Sequence, residues 1–217
     1  MINNLRFERK WVFNNTDKIT LLSSLINSSL FFKEQFEERF VNSIYYDNLS
    51  FASAVDNLAG NPDREKFRVR WYGESVDSLK NPILERKIKK NFYGYKKYYP
   101  LKKFNEKKFN EKNLSILSEN INLLINHKNL YPVSVTSYKR IYLISSNGQI
   151  RATLDFGIKY KKLINYIEDF FLYVNDIVLE IKYPRNLDAY VRSELSGVTR
   201  LSKNSKYINS LLNSNFY

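Results

Sequence analysis

The 217-residue sequence has no cysteine and one histidine, His127. The first absence excludes disulfides, thiol nucleophiles and cysteine-ligated zinc. A single histidine excludes a multi-histidine metal site and argues against a Ser-His-Asp triad. His127 falls at the end of a helical pattern, in "INHKN", and reads as a surface residue. Nowhere does the chain approach the roughly 20 consecutive apolar residues of a membrane-crossing helix. The start, "MINNLRFERK", lacks the apolar core of a secretory signal. The expected location is cytoplasmic, with any membrane association left to a membrane-bound partner.

What the chain does contain is charge of one sign and aromatic bulk. Its formal net charge is +13, which points to a polyanion: nucleic acid, an anionic membrane or a phosphate-rich small molecule. Hydrophobic residues make up 43%, enough for a sizeable core, and the 17 Tyr and 15 Phe favour strands. No composition break marks a linker, so a single domain over residues 1–217 is expected.

The cations are patterned. In "REKFRVRWYG", Arg64, Lys66, Arg68 and Arg70 occupy even positions, while Phe67, Val69 and Trp71 occupy odd ones. In a strand these are opposite faces, one cationic and one apolar; Glu65 is the exception. "LRFERKWVF" sets Arg6, Glu8 and Lys10 against Phe7, Trp11 and Phe13, with Arg9 breaking the alternation. "NPILERKIKK" places Glu85, Lys87 and Lys89 together, and "DIVLEIKYP" pairs Glu180 with Lys182. Further strands are expected at 40–47, at 131–145 with Tyr138 and Arg140 on one face, after the Asn147–Gly148 turn with Arg151 on the charged side, and in "LINYIEDFFLY". Helices are expected near 17–27, capped by Thr16 or Asp17, near 113–126, capped by Asn113, and near 186–195. The Lys- and Tyr-rich stretch "YGYKKYY" reads as loop packing with solvated lysines, although exposed aromatics beside cations would also suit base stacking.

About eight strands that each carry Arg, Lys and a few Glu on one face can close into a barrel. The expected fold is mainly β: an eight-stranded antiparallel barrel, a tunnel with a basic polar lumen, with the helices packed outside. A linear polyphosphate or a nucleoside triphosphate relieves the repulsion among such cations. The few carboxylates fit a hard divalent cation bridging to the phosphates.

Seven segments in order, "RFERK", "FRVRWYG", "LERKIKK", "YKR", "IRATLD", "LEIKY" and "SKY", resemble the VTC domain. This is the polyphosphate polymerase domain of the vacuolar transporter chaperone family, within the triphosphate tunnel metalloenzymes. The resemblance spans almost the whole chain. It implies transfer of the γ-phosphate of ATP to a growing inorganic polyphosphate, with Mn²⁺ or Mg²⁺. Carried across by motif, it implies catalytic roles for Lys10, Arg68, Arg70, Lys87, Arg140 and Arg151. Arg6, Lys66, Glu85, Lys182, Ser205 and Lys206 would bind substrate, although Ser202 and Lys203 in "LSK" compete for the last match. Glu180, with Glu8, would take the metal.

The first strand departs from the E-x-E-x-K of the CYTH-type triphosphatases, since it reads Arg6-x-Glu8-x-Lys10. That favours the polymerase branch and weakens a two-glutamate site on this strand. Neither an SPX domain nor a transmembrane segment is present, so regulation and translocation by this chain alone are not implied. The partners expected are ATP and inorganic polyphosphate, with no nucleic acid. A tunnel triphosphatase and a non-catalytic polyphosphate or nucleotide binder remain as alternatives.

Overall fold

The computed structural model describes residues 6–14, 16–91, 93–126, 129–163, 170–195 and 201–212. His127 and most of "LINYIEDFFLY" lie outside them. The strands are β1 (Arg6–Phe13), β2 (Lys33–Asp47), β3 (Arg64–Tyr72), β4 (Ser78–Leu79), β5 (Ile83–Lys90), β6 (Tyr93–Pro100), β7 (Lys107–Lys108), β8 (Tyr131–Ile144), β9 (Arg151–Lys162), β10 (Leu172–Val174) and β11 (Ile177–Pro184). The α-helices are α1 (Lys18–Ile26), α2 (Ala52–Ala59), α3 (Glu111–Leu124), α4 (Asp188–Glu194) and α5 (Lys206–Leu212). Eight strands pair in the order β1-β11-β9-β8-β2-β3-β5-β6; β10 pairs with β9, and β4 with β7. The β1–β11, β11–β9, β2–β3, β3–β5 and β5–β6 pairings are antiparallel. The mainly β class with accompanying helices is as the alternating patterns require.

The chain forms two compact units, each assembled from three segments. One comprises Met1–Arg39, Tyr138–Ile158 and Val174–Asn204; the other comprises Phe40–Ser137, Lys159–Tyr173 and Ser205–Tyr217. Here they are termed the first and second units. In the first, Trp11 of β1, Ile141 and Leu143 of β8, Leu154 of β9, and Leu179 and Ile181 of β11 pack with Leu21 and Leu25 of α1 and Val191 of α4. In the second, Ile44, Val69, Trp71 and Leu84 pack with Leu114, Leu117 and Ile121 of α3. In both, the apolar side of the strands lies under helices, because that side cannot face water at the cost of several hundred Å² of exposed apolar surface.

Local chemistry explains the element ends. Asp17 caps α1 by accepting from the Thr20 amide at 2.9 Å. The α3 cap is Asn110, not Asn113: its side chain accepts from the Asn113 amide, so the helix starts earlier than its apolar period suggests. Asp47, at the end of β2, accepts from the amides of Ser53 and Ala54 at the start of α2, and from the Tyr207 hydroxyl. Tyr207 also stacks on Tyr45 with centroids 5.0 Å apart, which seats α5 on the second unit. The turn between β8 and β9 uses Gly148 at φ 73°, a conformation that favours glycine.

One expectation is corrected. "YGYKKYY" is not a loop; it is the core of β6, paired along its length with β5. Its lysines and tyrosines hide the period because most of the strand is exposed on both sides, so no apolar face marks it.

The alternation breakers are also accounted for. Arg9 points to the apolar side of β1 and donates to Asp188 at 2.7 Å and to the Tyr183 hydroxyl. Glu65 shares the apolar side of β3 and β5 with Arg86, which donates two bonds to it at 2.9 Å. Each off-pattern charge is tolerated because it has an oppositely charged neighbour on the same side.

Trp71 is fully buried in the second unit. Trp71→Ala should therefore cost about 3–5 kcal/mol of stability. Urea unfolding checks this, and phosphate affinity of the folded fraction should stay unchanged.

Candidate functional site

Register fixes which charges meet. In the second unit, Arg68 lies opposite Glu85, and Glu85 lies opposite Tyr98; two residues along, on the same side, Lys66, Lys87 and Lys96 form a cross-strand row. All of these lie on the polar side of β3, β5 and β6. Arg68 Nε donates to Glu85 Oε2 at 2.8 Å, and Arg68 Nη2 donates to the same oxygen. Arg70 Nη1 lies 3.6 Å from Glu85 Oε1, and Lys96 Nζ lies 4.0 Å from Oε2. Arg70 Nε also donates to Ser43 Oγ at 3.4 Å, and Lys66 Nζ to Ser205 Oγ at 3.1 Å.

Three cations thus converge on one carboxylate. Burial alone would push the Glu85 carboxyl up, but Arg68, Arg70 and Lys96 outweigh it and hold it at about 2. The cluster keeps an excess of positive charge. Two unit charges about 4 Å apart at an effective dielectric of about 20 interact by about 4 kcal/mol, so a second anion is strongly favoured here.

A pH prediction follows. The Glu85 pKa falls from an ordinary 4.5 to about 2 on folding. The lowered value means that its contribution is complete above pH 4.5 and is lost as pH falls toward 2. The difference corresponds to about 3 kcal/mol. Urea midpoints measured from pH 7 to pH 2 should fall steeply in the wild type across that window, and less steeply in Glu85→Gln.

The first unit holds a different kind of cluster. Lys10 lies opposite Glu180, and Glu8 opposite Lys182. Lys10 Nζ is 2.9 Å from Glu8 Oε1 and 3.2 Å from Glu180 Oε2. Lys182 Nζ is 3.7 Å from Glu8 Oε2 and also bonds Glu180. Burial would lower the Lys10 ammonium, but Glu180 and Glu8 overcome this and raise it. Burial would likewise raise the Glu180 carboxyl, but Lys10, Lys182 and Arg140 bring it well below the usual carboxylate range. Arg140 forks onto Asp155 with bonds of 2.5 and 2.7 Å, and lies 5.3 Å from the Tyr138 ring centre. Lys10, Lys182 and Arg140 are thereby matched by Glu8, Glu180 and Asp155.

The structure brings together most of the residues expected from sequence, each within its own unit. Lys66, Arg68, Arg70, Glu85, Lys87 and Ser205 belong to the second unit, with Lys206 opening α5. Glu8, Lys10, Arg140, Glu180 and Lys182 belong to the first. Arg6 is exposed at the start of β1, opposite Pro184; Arg151 is exposed opposite Lys182. Of the competing serines, Ser205 accepts from Lys66, while the Ser202 amide donates to the Lys10 carbonyl. Sequence reasoning missed Lys96 as a partner of Glu85 and Asp155 as the partner of Arg140. The even positions of "YGYKKYYP" carry the signal for Lys96 once β6 is recognised as a strand.

Among the described residues no three Asp, Glu, His or Cys side chains converge as a metal cage. Glu8 and Glu180, which share the Lys10 ammonium, fit a hard cation that takes one or two carboxylates and completes its shell with phosphate oxygens.

Solved structures share the fold. A candidate adenylate cyclase from Vibrio parahaemolyticus matches with a TM-score of 0.53 at 14% identity, over 96% of this chain and 99% of its own. A candidate adenylyl cyclase from Hippeastrum, described as having a dominant triphosphatase activity, matches with a TM-score of 0.51 at 11% identity, over 95% of each chain. No curated protein matches the chain. The likeness to these structures is one of fold. The VTC domain matches residues 5–215, and the chain belongs to the VTC domain family. Among the described residues no helix is long and apolar enough to cross a membrane.

Proposed function

We propose that this protein is a cytoplasmic, metal-dependent polyphosphate polymerase that uses ATP, with residues 1–217 acting as one catalytic domain. The observation that carries this reading is the convergence of Arg68, Arg70 and Lys96 on the single carboxylate of Glu85. Such a site favours a multiply charged anion, and its planar guanidinium forks match phosphate oxygens. Lys66 and Lys87 extend the cationic row along the strands, which suits a linear phosphate chain better than a compact anion.

In the first unit, Glu180 with Glu8 would hold Mn²⁺ or Mg²⁺. The ion, when bound, supplies charge neutralisation on the phosphates. Lys10, Lys182 and Arg140 hold the Glu180 carboxylate ionised; Arg151 and Arg6 in this unit, and Lys206 in the second, would add positive charge for substrate. In the reaction the bond from the γ-phosphorus to the β,γ-bridging oxygen breaks. A terminal oxygen of the polyphosphate bonds to that phosphorus, and ADP leaves with the bridging oxygen. No side-chain nucleophile is needed, because alignment and charge stabilisation carry phosphoryl transfer.

A hydrolase is the second reading, supported by the triphosphatase activity of the Hippeastrum protein of the same fold. Incubating the purified protein with ATP and Mn²⁺ tests both. Long polyphosphate with one ADP per phosphate incorporated supports the polymerase; free phosphate without polymer supports the hydrolase; neither product leaves only a binding module.

A further inference from the structure

We infer that Tyr98 is the platform on which the base of a nucleoside triphosphate stacks, an assignment that rests on the phosphate-site reading of the second unit. The register places Tyr98 directly opposite Glu85, on the polar side of the sheet. Lys96, two residues earlier on the same side of β6, lies 4.0 Å from Glu85, which confirms that this side faces the Arg68–Arg70 cluster. Directly opposed residues have Cβ atoms about 5 Å apart, so Tyr98 stands next to Glu85, and Arg68 lies across from Glu85 one strand further on.

Tyr98 is 57% exposed, so its ring is open to a ligand. An exposed ring beside phosphate ligands is what a base requires, because every base offers a π face. The distribution of the other β6 tyrosines narrows the ligand. Tyr93, Tyr95 and Tyr99 share the opposite side of the strand, so Tyr98 is the one β6 tyrosine beside the cations. Proteins that track single-stranded nucleic acid stack successive bases on successive rings. One ring suits one base: a mononucleotide. Stacking reads a π face and not base edges, so adenine and guanine nucleotides should bind comparably.

Calorimetric titration of the full chain separates this inference from the reading beneath it. The probes are inorganic tripolyphosphate and the non-hydrolysable β,γ-imido analogues of ATP and GTP, against wild type, Tyr98→Thr, Tyr98→Trp and Arg68→Ala. Threonine keeps strand propensity without the ring; tryptophan keeps a ring, and holds the test open should the threonine variant not fold. Tyr98→Thr should weaken both nucleotide analogues about 10- to 100-fold. Tripolyphosphate affinity should stay within about twofold of wild type, since no phosphate contact is removed. Tyr98→Trp should bind the nucleotides at least as well as wild type. Arg68→Ala should weaken all three ligands. Unchanged nucleotide affinity in Tyr98→Thr, or an equal loss for tripolyphosphate, overturns the platform while the phosphate site stands. A wild-type protein that binds no tripolyphosphate overturns both.

Discussion

Arg68→Ala and Arg70→Ala should each lower polyphosphate synthesis at least about 100-fold, the loss typical of removing one preorganised donor to a transition state. Neither substitution removes an apolar core contact, because each side chain lies on the polar side of β3, opposite the buried Phe67, Val69 and Trp71; each lowers stability through the lost pairing with Glu85. The two variants should nevertheless differ. Arg68 supplies two hydrogen bonds to Glu85, whereas Arg70 lies 3.6 Å from it and divides its guanidinium between Glu85 and Ser43. Removing Arg68 thus does two things: it deletes a phosphate ligand and releases a carboxylate that repels phosphate. Arg68→Ala should therefore be the more damaged in ATP affinity. Arg68→Lys keeps the charge but loses the fork, and should fall between. The measurement is initial polymer formation at several ATP concentrations alongside thermal melting. Wild-type rates in both alanine variants, with unchanged melting, would remove Arg68 and Arg70 from the reaction.

Glu180→Gln is the second large effect. Glu180 is partly buried in the first unit and bonded to Lys10 and Lys182, so two roles compete for it. As a metal ligand, its loss should raise the Mn²⁺ concentration for half-maximal activity by at least about 10- to 100-fold, the scale already seen for outer-shell partners of metal sites. Activity should then recover in part at high Mn²⁺, and ATP should still bind through Arg and Lys. As a charge partner only, its loss should leave the metal midpoint in place and tighten anion binding, because Lys10 and Lys182 keep their charge. Titrating Mn²⁺ at saturating ATP, together with direct calorimetry of Mn²⁺ in the presence of the imido analogue, decides between them. An unmoved midpoint rules out the ligand role.

The sequence by itself determined the strand faces of this protein. Period-2 alternation in "REKFRVRWYG" and "DIVLEIKYP" places Arg68 and Glu180 on the polar side and Trp71 and Leu179 in cores, because in a strand neighbouring side chains have no choice but to alternate. The order of the charged motifs was enough to recognise the family, and the absence of cysteine and the single histidine was enough to exclude thiol and multi-histidine chemistry. β6 escaped, because exposure on both sides leaves a strand no apolar stripe to read. Tertiary structure alone decided who pairs with whom. Register slides by whole residues without altering either strand's own pattern, yet it determines that Glu85 lies between Arg68 and Tyr98, and that Lys96 reaches it from β6. The same holds for Arg9 and Glu65, which look like errors in the pattern until Asp188, 179 residues away in the chain, and Arg86 arrive beside them. A charge on the apolar side is tolerable only when its partner is near in space, and nearness in space across β-strands is a property of the fold and not of the segment.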